Sequence, residues 1–376
     1  MAKILINGLL LREQHSGVQY SIENLIEGLL QEPVKNHDLA LLVSPFYKPP
    51  FNEDNRLTIK RLDMTYDSRI HRVLFEHLLL GRYLKKQGVD IYHAPGYILP
   101  YFLRAKAVVT VHDLIALDFP ELCQYETAAY FRLTLPASIK RADKIIAVSQ
   151  TVKRDILNRF PTIAADKIRV IYPGVHGRFH PVTDAAQRAD VRKTYGLPSA
   201  YFLFVGNLEP KKNLEMIVEA FKRLKTDKQI DHKLVIVGKL GWKYKGVLRA
   251  IQYSGLKDEI MLLGYVDEKH LPSIYSMASV FVFPSLYEGF GIPVVEAMRC
   301  GCPVIVSDRG ALPEIAGAAA KQVDPLDAED IAEAMYQLTS NEFLRQDMIE
   351  RGLQWSQKFT WQQAAQQTLT VYNDLT

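Results

Sequence analysis

The sequence has three cysteines among 376 residues, too few for a disulfide framework, and that scarcity points to a reducing compartment. Cys300 and Cys302 flank a single glycine, so they lack the two-residue spacer of the usual zinc or redox pairs, and no second pair exists. Both read as small buried residues. No stretch reaches the roughly 18 consecutive apolar residues that a membrane-spanning helix needs. The first apolar run, residues 4–11, is broken by Asn7 and Gly8 and followed by Arg12, Glu13 and Gln14. It is too short for a signal core and reads as a first strand with its loop. Short repeats and low-complexity tracts are also absent. These absences together predict a cytoplasmic protein.

Apolar residues make up 48% and charged residues 23%, which fits a globular chain. Its length exceeds one ordinary hydrophobic core, so two domains are expected. The net charge of +4 is unevenly spread. There are 23 Lys and Arg against 18 Asp and Glu through Val175, and 23 against 24 after it. A basic front half either attracts anionic lipid or a phosphorylated acceptor, or is an ordinary solvated surface.

Short runs rich in β-branched residues alternate with amphipathic stretches. The early runs are 3–6, 39–43, 90–93, 107–111, 144–148 and 168–172. The later ones are 201–205, 233–237, 259–263, 279–283 and 303–307. Continuous hydrophobic strands alternating with helices predict an α/β fold with parallel sheets covered on both faces. The alternation restarts after Pro173-Gly174, and the polar stretch to Tyr195 reads as a linker. Two doubly wound, Rossmann-like domains follow, residues 1–178 and 179–357. A helix within 358–376 is expected to pack back on the first domain. Ligands of open parallel sheets sit at the carboxyl ends of the strands, so two such domains facing each other would enclose a cleft.

The densest chemistry lies in the string Phe283-Pro-Ser-Leu-Tyr-Glu-Gly-Phe-Gly-Ile-Pro-Val-Val-Glu. A buried strand ends, a glycine-bearing loop follows, and Pro293 stands where a helix begins. Gly289 and Gly291 allow the backbone close to a ligand, and the helix start offers N–H donors suited to a diphosphate or to hydroxyls. Glu288 falls in the loop and Glu296 on the first turn of the helix. A second element, Gly206-Asn-Leu-Glu-Pro-Lys-Lys-Asn, joins a strand to a helix expected to be capped by Asn213. Lys211 and Lys212 either neutralise a diphosphate leaving group there or are exposed helix-start residues. A third is Val108-Val-Thr-Val-His-Asp, which sets His112 and Asp113 directly after a strand. Weaker strand-end signals are Gly17, Ser149 and residues 264–266. Gly17 is either a diphosphate-binding loop or a tight strand-to-helix turn.

The string from Phe283 closely resembles the E-x7-E signature of retaining glycosyltransferase family 4, the group 1 enzymes of GT-B fold. The Gly206 element is similar to a subgroup of mannosyl- and other polysaccharide-assembly transferases. The resemblance implies a retaining transfer from a nucleotide diphosphate sugar to a saccharide or lipid-linked acceptor. GDP-mannose is the favoured donor, with UDP- or dTDP-sugars as alternatives. It implies that Glu296 holds the ribose hydroxyls, and that Glu288 lies near the donor sugar and its phosphates. Backbone around Gly289, Phe290, Gly291 and Ile292 would contact the donor, Lys212 its phosphates, and His112 the donor sugar. Gly17, Gly206, Asn207, Lys211 and Val266 complete the expected donor site. Many family members carry arginine where this chain has Asn207, so one usual cation is missing or replaced by Lys211.

No Asp-x-Asp stands at a strand end, so neither an obligatory metal nor a resident cofactor is expected, and nucleic acid is not an expected partner. The helix-like stretch 69–86 carries Arg69, Arg72, Arg82, Lys85 and Lys86 among apolar residues. It is either a face for peripheral contact with the inner membrane leaflet or a core helix with charged flanks. Two other functions fit the same residues, a nucleotide-sugar epimerase or hydrolase and a non-catalytic nucleotide-sugar-binding partner of an assembly complex.

Overall fold

The computed structural model describes residues 2–12, 17–32, 37–51, 56–62 and 68–376. The chain divides into two compact units, Met1–Gly174 with Phe359–Thr376, and Val175–Lys358. The first unit is built on a seven-stranded sheet of β1 (Ala2–Asn7), β2 (His37–Val43), β3 (Leu57–Arg61), β4 (Ile91–Ala94), β5 (Lys106–Val111), β6 (Lys144–Ala147) and β7 (Ile168–Val170). Its order is β3-β2-β1-β4-β5-β6-β7, and every pairing is parallel. The order reverses between β1 and β4.

The second unit repeats the plan with β8 (Tyr201–Val205), β9 (Lys233–Val237), β10 (Ile260–Gly264), β11 (Val280–Phe283), β12 (Val304–Ser307) and β13 (Ala320–Val323). The order is β10-β9-β8-β11-β12-β13, again parallel and reversing between β8 and β11. The central strands are apolar at every position because helices cover both sheet faces. Phe204 stacks on Phe283 at 5.8 Å across the two switch-point strands.

The stretch read as a linker is partly structured. Residues Ala185–Tyr195 form a helix, capped by the Asp184 side chain at its start and by left-handed Gly196 at its end. One buried side chain, Val191, is too little apolar periodicity to show in the sequence. The stretch 69–86 is also not one continuous α-helix. A π-helical turn, Phe75–Leu79, separates helix Arg69–Leu74 from helix Leu80–Lys86.

The last helix, Trp361–Asn373, lies on helix Gly17–Gln31 in the first unit. Ala364, Ala365, Val371 and Tyr372 join Ile22, Leu25, Ile26 and Leu29 and the strand residues Ile4, Ile6, Leu39 and Leu41 in one core. The Tyr372 hydroxyl is 2.6 Å from Nδ1 of His93 on β4, and the other ring nitrogen is 2.8 Å from the Thr110 hydroxyl. Burial, with His112 nearby, pushes His93 down to about 3, so this ring is a neutral structural link. Glycine is required at the helix crossing, because a Cβ on Gly28 would lie 2.7 Å from the Trp361 carbonyl oxygen. Gly28→Val therefore drives the two helices apart and is expected to cost about 1–3 kcal/mol. A lower urea midpoint, with folded-state secondary structure retained, is the expected result, and an unchanged midpoint would contradict the close crossing.

Candidate active site

The carboxyl ends of β8 and β11, neighbours at the switch point of the second unit, carry the two motif loops. After β8 the chain turns at Gly206, whose φ of +154° is strained for other residues. Its neighbour Gly238 is packed so closely that a Cβ would sit 2.0 Å from the Gly206 carbonyl oxygen. A short 3-10 turn, Pro210–Lys212, follows. The loop after β11 is tied to this turn by the Leu286 N–H, which donates to the Lys211 carbonyl at 2.8 Å.

That junction brings Lys212 to Glu288. Nζ donates to Oε1 at 2.5 Å, and Lys211 Nζ lies 3.9 Å from Oε2. Lys212 also stands 4.7 Å over the Phe283 ring, a cation–π contact. Burial alone would raise the Glu288 carboxyl, but Lys212 and then Lys211 outweigh it and hold the group below its ordinary range. Burial lowers Lys212 against the opposing pull of Glu288. Two ammonium groups thus lie within ion-pair distance of one carboxylate, and Glu209 also acts on Lys212.

Asn213 does not cap the following helix, Leu214–Lys228, with its side chain. Its backbone is left-handed at φ +60°, and Nδ2 donates to the carbonyls of Pro284 at 3.1 Å and Pro325 at 2.6 Å. The residue clamps the lysine turn to the β11 loop.

On the other side of Glu288, its carbonyl accepts from the Ala311 N–H at 2.9 Å. A Cβ on Gly310, φ +60°, would lie 2.9 Å from that same carbonyl oxygen. Gly291, φ +98°, precedes helix Ile292–Arg299, with Pro293 in its first turn. Gly289, Phe290 and Gly291 are buried, while Ile292 is half-buried. The helix start leaves N–H donors outside the intrahelical ladder.

Glu296 falls on the second turn of that helix rather than the first. It is 7% exposed, and its Oε2 accepts from the Tyr275 hydroxyl at 3.0 Å. Burial pushes it up to about 7, with Glu268 adding to the rise while Tyr275 and Arg178 oppose it. Arg178 is itself paired with Glu268 at 3.0 Å.

Asn207 is exposed beside Gly206, and Val266 is buried just past Gly264. Ser149 accepts from the Val152 N–H at 3.0 Å as the cap of helix Gln150–Arg159, a structural task. Cys300 and Cys302 are buried, and burial pushes both thiols up. Among the described residues no group of His, Cys, Asp and Glu is arranged to hold a metal ion.

In the first unit His112 follows β5, and its Nε2 donates to the Pro95 carbonyl at 2.8 Å. That bond leaves Nδ1 as the acceptor of a neutral ring, and burial lowers the ring's basicity. The Tyr97 ring stands 5.3 Å from it. Gly17 opens helix Gly17–Gln31 and is exposed, with open space where a Cβ would go. The loop before it, residues 13–16, lies outside the described residues. Tyr275, Gly310 and the clamping role of Asn213 were not legible as site features. Gly310 alone carried a signal, as a glycine just past a strand end.

Two doubly wound parallel units, with paired glycine-bearing loops at a switch point, define the GT-B class of glycosyltransferases. The chain belongs to glycosyltransferase family 4. The model described as glycosyltransferase family 4 matches residues 15–177, and that described as glycosyl transferases group 1 matches residues 188–355.

The O-antigen chain mannosyltransferase B of Escherichia coli is 31% identical over 282 residues, 75% of this chain and 74% of that protein. The serotype-specific mannosyltransferase WbdA of Escherichia coli is 27% identical over 96% of this chain but only 43% of its own length, so the chain spans less than half of that relative. The structure of sucrose-phosphate synthase from Thermosynechococcus elongatus superimposes with a TM-score of 0.78 at 24% identity, covering 100% of this chain and 99% of that one.

The raised Glu296 carboxyl carries a stability consequence. The folded state keeps its proton up to about pH 7, whereas the unfolded chain releases it near the ordinary value of 4.5. The resulting stabilisation is fully present below pH 4.5 and is lost as pH rises through 7. Glu296→Gln removes the ionisation, so at pH 8 it is expected to exceed the wild type in stability by up to about 3 kcal/mol. The gap should close toward pH 4.5. Denaturant unfolding across that range checks it, and a difference independent of pH would refute the assignment.

Proposed function

We propose that this glycosyltransferase moves a hexose, with retention, from a nucleotide diphosphate sugar to a saccharide or lipid-linked acceptor in polysaccharide assembly. The observation that carries this reading is the partly buried Lys212–Glu288 pair with Lys211 beside it, set where the β8 and β11 loops meet. Two adjacent lysines suit a diphosphate leaving group, whose charge grows as the sugar–phosphate bond breaks. Glu288 holds Lys212 in place before the donor arrives. Glu296, fixed by Tyr275, faces the ribose hydroxyls. N–H groups at Gly289–Ile292 supply further donors to the diphosphate and sugar.

In this mechanism the anomeric carbon passes through an oxocarbenium-like state. The acceptor hydroxyl attacks from the face the diphosphate leaves, and the diphosphate takes its proton. The neutral His112 ring positions the donor sugar, and Gly17, Gly206, Asn207 and Val266 border the donor. No metal is assigned a role. The names of the E. coli relatives favour mannose, and hence GDP-mannose, over UDP- or dTDP-sugars.

Titration calorimetry with GDP, UDP and dTDP on the wild type and Glu296→Ala tests the donor assignment. One nucleotide is expected to bind, with affinity reduced at least tenfold in the variant, on the order of 1.4 kcal/mol. Lys212→Ala is expected to lower kcat by about 10²–10³ in transfer assays. No nucleotide binding would refute the reading. Donor turnover without acceptor would mark an epimerase or hydrolase, and tight binding without turnover a non-catalytic partner.

Work at the cytoplasmic face of a membrane is the second part of the proposal. No helix among the described residues is long and apolar enough to cross one. Ile70, Leu74 and Leu78 recur at helical spacing and are 70%, 52% and 48% exposed. Phe102, 67% exposed, packs its backbone on the same stretch, its carbonyl oxygen 2.1 Å from where a Cβ on Gly81 would lie. Exposed Arg82, Lys85 and Lys86 follow on the same stretch, a pattern suited to an anionic interface. Ile70→Asp with Leu74→Asp is expected to abolish co-sedimentation with vesicles containing phosphatidylglycerol while leaving nucleotide binding intact. Equal sedimentation of wild type and variant would rule the contact out.

A further inference from the structure

The first unit has its own switch point, between β1 and β4, and a cavity of roughly 300 Å³ opens beside it. Asn7, the last residue of β1, and Gly96 and Tyr97, just past β4, form one part of its wall. Arg72, Val73 and Glu76 form another, and Phe131 lines the cavity next to Tyr97. The helix that supplies the second wall is turned against the usual rule. Glu76 and His77 in the π-helical turn are buried, whereas Leu74, Leu78 and Leu79 around them are exposed. A π-turn shifts the phase of a helix and concentrates at functional sites, and charge buried at the expense of leucine calls for a compensating use.

The polar groups in the cavity are incompletely matched. Asn7 Nδ2 donates to Glu76 Oε1 at 3.0 Å, and the Asn7 side-chain oxygen accepts from the Leu9 N–H at 2.9 Å. Arg72 Nε stands 3.6 Å from Glu76 Oε2, too far for a hydrogen bond. That N–H is buried and has no hydrogen-bond partner among the described residues. Burial raises the Glu76 carboxyl against the pull of Arg72, Asn7 and Arg12.

Tyr97, which lines the same cavity, is held at φ +76°, a costly conformation for an aromatic residue. Gly96 is pressed so close to Leu10 that a Cβ would lie 2.1 Å from its methyl group. The Tyr97 ring packs 5.1 Å from Phe131 and 5.3 Å from His112. The pocket lining therefore combines a carboxylate–guanidinium pair with aromatic surface, the latter next to the strand-end histidine.

We propose that this pocket seats a neutral sugar ring of the acceptor, with hydroxyls on the Glu76–Arg72 pair and the ring's apolar face on Tyr97 and Phe131. A hydroxyl both donates and accepts, so it satisfies the carboxylate and the guanidinium together. An anion would instead face Glu76, and a cation Arg72. The volume lies at the small end of ligand pockets and suits one ring rather than an oligosaccharide. This inference rests on the glycosyltransferase reading for its biological meaning, but its test needs no transfer.

Binding of methyl α-mannoside, methyl α-glucoside, methyl β-galactoside and methyl N-acetyl-β-glucosaminide is measured by ligand-observed NMR. Methyl β-glucuronide and mannose 6-phosphate serve as charged comparisons. At least one neutral glycoside is expected to bind the wild type. Glu76→Gln and Val73→Phe, which narrows the cavity without touching the polar pair, are each expected to weaken it about tenfold. Nucleoside diphosphate affinity should stay unchanged in both. If Glu76→Gln fails to fold, Val73→Phe alone decides. The proposal is overturned if no neutral glycoside binds, if the charged sugars bind better, or if the folded variants bind the neutral glycoside as the wild type does. Glycoside binding without nucleotide binding would keep the pocket and remove the transfer reading.

Discussion

The second unit is organised around a partly buried ion pair whose members lie 76 residues apart, Lys212 after β8 and Glu288 after β11. Taking both charges out of water costs several kcal/mol per ion, and the 2.5 Å contact returns that only if both loops hold their shape. The surrounding features serve this condition. Asn213 spans from the lysine turn to Pro284 and Pro325, the Lys211 carbonyl is tied to Leu286, and Gly310 lets a neighbouring loop bond to the Glu288 backbone. The stacked Phe204 and Phe283 beneath fix the strand ends from which both loops depart.

Two glutamates on one short segment are driven in opposite directions. Glu288 faces two ammonium groups and stays ionised, while Glu296 faces a tyrosine hydroxyl in an apolar setting and is pushed up to about 7. The eight-residue spacing puts one carboxylate in the loop and the other a turn into the helix, so each meets a different environment. Their opposite shifts follow from position rather than residue type. An ionised Glu288 suits a group that holds a cation, and a carboxyl with spare acceptor capacity beside Tyr275 suits hydroxyls.

Much of this was legible in advance because buried parallel strands are continuous apolar runs, and those runs mark the central strands of both sheets. The outer strands β3 and β13 were not legible. Leu57-Thr-Ile-Lys-Arg and Ala320-Lys-Gln-Val lie at sheet edges with mixed burial, so they carry no such run. Helix Ala185–Tyr195 buries one side chain and shows no usable period. The motif glutamates and lysines were visible as a string, but their partners were not. Tyr275 reaches Glu296 from a different helix, and Asn213, which looks like a cap in sequence, uses its amide for distant carbonyls. Such contacts depend on which strands become neighbours, and a single sequence does not state that.

The π-helical turn shows the same limit from the other side. Apolar residues at 70, 73, 74, 75, 78, 79 and 80 read as an amphipathic helix with a core face, yet Ile70, Leu74, Leu78 and Leu79 are exposed and Glu76 is buried. A regular helix over this stretch would direct the leucines inward and the carboxylate out. The wider turn sets Glu76 beside Asn7 at the end of β1, so the first unit, like the second, has a carboxylate at its switch point. In the second unit that carboxylate is met by two lysines, one of them hydrogen-bonded to it, and in the first by Arg72 at 3.6 Å without a hydrogen bond, with Arg12 also acting on it. Two lysines beside a carboxylate suit an anionic ligand, and an ion pair with an open N–H donor suits a hydroxyl. The same fold element, used twice, thus sets its switch-point carboxylate among different cations.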